Sequence, residues 1–79
     1  LDFATQFRVV PWNATPGYVG KTLAAADFRR FELNVLGWFA PDLGKPKLNF
    51  AGADYQIGPN HTLLLVGEED AIERFLGQA

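Results

Sequence analysis

The chain has 79 residues, 48% of them hydrophobic and 14% aromatic, with a net charge of -2 and no cysteine. That length makes a single domain over residues 1–79 with a thin core. The charge leaves no electrostatic footprint for nucleic acid, the missing cysteine excludes disulfides and thiolate metal sites, and no stretch approaches the ~20 apolar residues that span a bilayer.

Residues 3–10 alternate, with Phe3, Thr5, Phe7 and Val9 predicted on the well-buried face of a strand that Pro11 ends. Asn13 to Gly17 is a turn cluster. Residues 23–31 read as a short helix with Thr22 near its cap and with Leu23, Ala24, Phe28 and Phe31 on one face. Residues 33–39 read as a second strand, with Leu33, Val35 and Phe39 on one side and Leu36 and Trp38 on the other. A strand apolar on both faces is buried on both, by a helix on one side and, in so short a chain, by a second subunit on the other. After a Pro- and Gly-rich loop over residues 40–46, residues 48–50 and 54–57 are short strand candidates.

Gly58-Pro59-Asn60 is a turn, and Thr62 to Val66 is an apolar run of strand length that belongs in the middle of a sheet. Glu68, Glu69 and Asp70 place three carboxylates at the positive end of a closing helix. Ile72, Phe75 and Leu76 give that helix its apolar face, Asp70 and Arg74 form an i,i+4 pair, and Gly77 is its expected left-handed stop. The fold class is α+β: a two-layer sandwich of a small mixed sheet with helices on one face, in the order β-α-β-β-β-α. The chain contains no methionine, which predicts a piece excised from a longer protein, and it carries no signal-peptide pattern.

Three motifs invite chemistry and each has a plainer reading. Gly20-Lys21-Thr22 lacks the glycine that a phosphate loop places five residues earlier, where Thr15 stands. Asn13-Ala14-Thr15 and Asn60-His61-Thr62 match the glycosylation acceptor pattern but sit in turns. His61 is the single histidine, too few for a usual zinc site and without the Ser or Cys that a nucleophilic triad needs. No enzyme is read here. Arg29 and Arg30, between the first helix and the second strand, are an open case, placed either to grip a phosphate or carboxylate or to favour a helix end through its dipole.

Val19-Gly20-Lys21-Thr22-Leu23, Arg29-Arg30-Phe31, Leu33-Asn34-Val35-Leu36 and Gly58 to Gly67 occur in an order that resembles the TrkA C-terminal domain family, the C-lobe of regulator-of-potassium-conductance (RCK) modules. The resemblance runs over roughly residues 6 to 77. Pro59-Asn60-His61 stands where the family has Pro-Gly-Asp, and Glu32 where it usually has glycine. The resemblance implies a cytoplasmic, non-enzymatic, homodimeric regulatory domain of a potassium channel or a potassium-uptake or cation-transport protein, with no insertion into the membrane itself. It also implies a ligand cleft between subunits, in several relatives for cyclic di-AMP, which falls here on Arg29, Arg30, Leu33, Asn34 and Val35. Two other readings stand beside it: a ligand-free dimerisation domain attached to another membrane transporter, and an accessory domain of an enzyme.

Overall fold

The computed structural model describes residues 6–40 and 47–79. One sheet holds β1 (Phe7–Asn13), β2 (Asn34–Phe39) and β3 (Thr62–Glu68), in the order β1-β3-β2. Two helices, α1 (Leu23–Ala26) and α2 (Glu69–Gln78), and two 3-10 turns, Pro16–Tyr18 and Phe28–Phe31, complete the elements. The apolar run at residues 62–66 is the central strand, as its composition predicts. Both of its pairings are antiparallel. β1 and β2 run in the same direction but never touch, so the sheet is antiparallel throughout rather than mixed, and the α+β class stands.

Leu63 and Leu65 of β3 are 0% exposed and face α2, whose Phe75 is also 0% exposed. Trp12 sits opposite Leu63 in the register and meets the Phe75 ring edge-on at 4.9 Å. Ala26, Phe28, Leu33, Ile57, Ala71 and Ile72 close this core. Burying each large aliphatic or aromatic side chain contributes roughly 1.5–3 kcal/mol, and in this chain nearly all of that lies on one side of the sheet.

β1 departs from its sequence pattern in position and in face. It starts at Phe7 and runs through Pro11 to Asn13; Phe3 and Thr5 lie outside the described residues. Trp12 is buried and Val10 half-buried, whereas Phe7 and Val9 are 48% and 53% exposed. The inward face is thus the one with Val10 and Trp12. The ladder explains how the strand runs through Pro11. Ala14 N–H donates to His61 O and Glu69 N–H to Gln6 O, so the hydrogen-bonded pairs fall on the even residues of β1. Pro11, opposite Leu64, lies in a non-hydrogen-bonded pair with its nitrogen on the free edge, where proline costs the ladder nothing.

β2 carries a register shift between Val35 and Gly37. Val35 opposite Leu65 and Trp38 opposite Leu63 therefore share the core side, while Phe39, opposite Thr62, joins the other. Simple alternation puts Val35 with Phe39 and Leu36 with Trp38; a bulge inserts one residue and reverses the alternation beyond it. Gly37 has room for nothing else, since a Cβ there would lie 2.5 Å from the Asn49 carbonyl. The two short strand candidates contribute only single bridges, Trp38 with Asn49 and Thr22 with Gln56.

In α2, Ala71, Ile72 and Phe75 are buried but Leu76 is 48% exposed. The helix continues through Gly77. Arg74 does not pair with Asp70; it reaches Glu32 at 3.2 Å. The sheet face away from α2 presents Val9, Pro11, Leu64, Val66 and Phe39, whose opposed positions in the register put them on one side. No helix among the described residues covers that face.

Candidate functional site

The first helix is shorter than its sequence suggests, and its ending builds the site. Thr22 Oγ1 accepts the Ala25 N–H at 3.2 Å, capping α1 as expected. One turn later Asp27 takes φ 57, a left-handed conformation that aspartate tolerates better than most residues. The chain re-enters as the 3-10 turn Phe28–Phe31 and leaves it at Glu32, again left-handed at φ 61. The aromatic residues of that turn are pinned inward: Phe28 lies 5.4 Å and Phe31 5.3 Å from the Phe75 ring. Arg29 and Arg30, between them, are left on the surface.

Among the described residues, three non-glycine positions take a positive φ: Asp27, Glu32 and Asn60. Two of them bear on the sequence pattern. Glu32 and Asn60 are the two positions where the sequence departs from the glycines of the family it resembles, and both take a positive φ, the conformation that glycine adopts most readily.

The turn and the start of β2 enclose an open concavity of about 510 Å³, lined by Leu23, Ala24, Asp27, Phe28, Arg29, Leu33, Asn34 and Val35. Arg29, Leu33, Asn34 and Val35, four of the residues expected at a ligand cleft, therefore come together on one wall. Strict alternation would have put Asn34 opposite Leu33 and Val35. Leu33 precedes the strand, with its N–H held by Phe28 O at 3.1 Å; Asn34 and Val35 keep opposite faces in the register with β3, and both border the concavity at the entry of this edge strand. Arg30 is not in the lining; its guanidinium lies over the Phe31 ring at 4.7 Å. The two arginines thus do not act as a pair on this concavity. Asp27, Leu23, Ala24 and Phe28 are lining residues that the sequence did not single out, because the break at Asp27 carries no glycine or proline to announce it.

A second constellation lies where the 47–61 segment returns over β2. Trp38 stacks on His61 at 4.4 Å and on Tyr55 at 5.0 Å. His61 Nδ1 is 2.8 Å from the Tyr55 hydroxyl and 3.1 Å from the Gly58 N–H. The Gly58 amide can only donate, so Nδ1 is an acceptor and the ring proton sits on Nε2. Burial pushes the Tyr55 hydroxyl up to about 12, which keeps it protonated and able to donate. This arrangement fastens the segment to the sheet, in keeping with the reading of His61 as a strand-entrance residue. Asn13 does similar work at the other edge, its Oδ1 accepting the Thr62 hydroxyl at 2.6 Å.

No protein family matches this sequence, and no curated protein matches it. Among solved structures, the GsuK RCK domain superposes with a TM-score of 0.75 at 20% sequence identity. The match covers 89% of this chain and 15% of that one, so the chain spans a small part of the protein it resembles. That likeness is one of fold, and the chain has an RCK C-terminal-like fold.

Proposed function

We propose that this chain is a non-enzymatic, cytoplasmic regulatory domain of a potassium channel or a potassium-uptake or cation-transport protein, and that it dimerises and senses a small ligand. The RCK C-terminal-like fold carries the reading. Two features support it. The sheet face built from Val9, Leu64, Val66 and Phe39 is apolar and faces away from the helix layer, as a face destined for a second copy would be. The concavity beside Arg29 offers a ligand an apolar floor and polar rim. That uncovered face would serve equally well in a ligand-free dimerisation domain of another membrane transporter, and ligand binding separates the two.

Sedimentation at micromolar concentration tests the dimer. The expected mass is twice the 8.7 kDa of the chain, because a stable interface buries on the order of 1,000 Å² or more. Val9→Asp, at a half-exposed edge-strand position, is expected to leave the fold intact and give a monomer. A wild-type monomer at high concentration would remove dimerisation from the proposal.

A further inference from the structure

We infer that the concavity between α1 and β2 takes a small zwitterion of the α-amino acid class with an apolar side chain. The inference rests on the reading of that concavity as a ligand site and goes on to name the ligand's chemistry. The lining carries two formal charges of opposite sign, Asp27 and Arg29, and no others. They do not neutralise each other or a neighbour: among the described residues the ion pairs are Arg8 with Glu69 and Arg74 with Glu32. The left-handed backbone at position 27 accounts for a short polar residue there, and asparagine or glycine would meet it as well. It does not account for a carboxylate.

The neutral groups fit the same ligand. On β2 the even-numbered partners on β3 point toward it, so Asn34 bonds to Val66 and the Val35 N–H and C=O face the free edge. They have no partner among the described residues, and Val35 is part of the lining. An amino acid would set its carboxylate on the Arg29 guanidinium as a bidentate pair and its ammonium on Asp27. The Val35 peptide edge and the Asn34 amide remain for its other polar contacts, and its side chain covers the floor of Leu23, Phe28 and Leu33. A phosphate-rich ligand fits this wall less well. It would meet one guanidinium rather than two, since Arg30 lies over Phe31, and it would face the Asp27 carboxylate, a like-charge contact that disfavours binding.

Calorimetric titration of the folded domain tests this, with L-leucine, L-leucinamide, 4-methylpentanoate and cyclic di-AMP as probes. Saturable binding of L-leucine is expected, at least tenfold weaker for leucinamide, which lacks the carboxylate, and for 4-methylpentanoate, which lacks the ammonium. Asp27→Asn and Arg29→Gln are each expected to weaken leucine at least tenfold while leaving the urea midpoint unchanged. If cyclic di-AMP binds in an Arg29-dependent way and leucine does not, the zwitterion is overturned and the sensing site stands. Leucine binding indifferent to Asp27→Asn overturns it as well. No heat from any probe overturns both the zwitterion and the sensing site, leaving the dimerisation domain.

Discussion

Leu65 and Leu64 are neighbours on the central strand with opposite fates, and truncating each in turn measures how one-sided the core is. Leu65 is 0% exposed, opposite Val10 on one edge and Val35 on the other. Leu65→Ala removes three buried carbons and leaves a cavity walled by β1, β2 and α2, a change that costs about 3 kcal/mol in comparable cores. A domain of this length has roughly 4–12 kcal/mol in total, so the loss is a large share. Leu64 is half-buried on the uncovered face. Leu64→Ala forfeits only part of its transfer free energy, about 1 kcal/mol in the monomer, and on the proposed dimer it weakens the dependence of the midpoint on protein concentration. Urea unfolding at two protein concentrations reads both. With a slope of roughly 1–1.5 kcal/mol per molar for a chain this small, the Leu65→Ala midpoint should fall by on the order of 2 M, independent of concentration. The Leu64→Ala midpoint should fall far less at low concentration. Equal shifts, or a larger one for Leu64→Ala, would mean that the strand faces are assigned the wrong way round.

Gly67→Ala should destabilise by roughly 1–3 kcal/mol, because its Cβ would lie 2.5 Å from Leu33 Cδ2 and 3.2 Å from the Glu32 carbonyl; thermal melts check it. Glu32→Gly should raise the melting temperature by a few degrees, since relief of the left-handed strain, about 1 kcal/mol, exceeds the loss of an exposed ion pair with Arg74. The Tyr55 hydroxyl titrates near 10 when unfolded and at about 12 in the fold. The unfolded chain therefore ionises first, and stability falls as pH rises from about 10 toward 12. Tyr55→Phe should lose that alkaline component and, near neutrality, about 1 kcal/mol from the missing hydrogen bond to His61; urea midpoints across pH separate the two.

The parts of the fold that the sequence discloses are those where composition leaves one solution. The residue 62–66 run is apolar on both faces, so it has to be central. The helix after it has one apolar face and an acidic start, so it has to lie on the sheet. The inward face of β1 is not legible because both of its faces are apolar: Phe7 and Val9 compete with Val10 and Trp12, and only the pairing with β3 decides between them. The left-handed break at Asp27 leaves no glycine or proline in the sequence, so helical periodicity runs straight through it, and Gly37 at the β2 bulge sits inside an apolar run whose alternation hides the extra residue. The same break explains the site. Arg29, Leu33, Asn34 and Val35 meet because the 3-10 turn brings the chain back onto the strand. Arg30 falls one position further round, beside Phe31, and the order of residues alone does not show that the two arginines part.

The most direct test of ligand sensing at the α1–β2 concavity is an amide chemical-shift map of the labelled domain, titrated with amino acids and nucleotides, including cyclic di-AMP. The account predicts saturable shifts at Asp27, Arg29, Asn34 and Val35, with Phe7 and Val9 on the far edge strand undisturbed. Shifts confined to Phe7, Val9 and their neighbours, or none with any ligand, would contradict it.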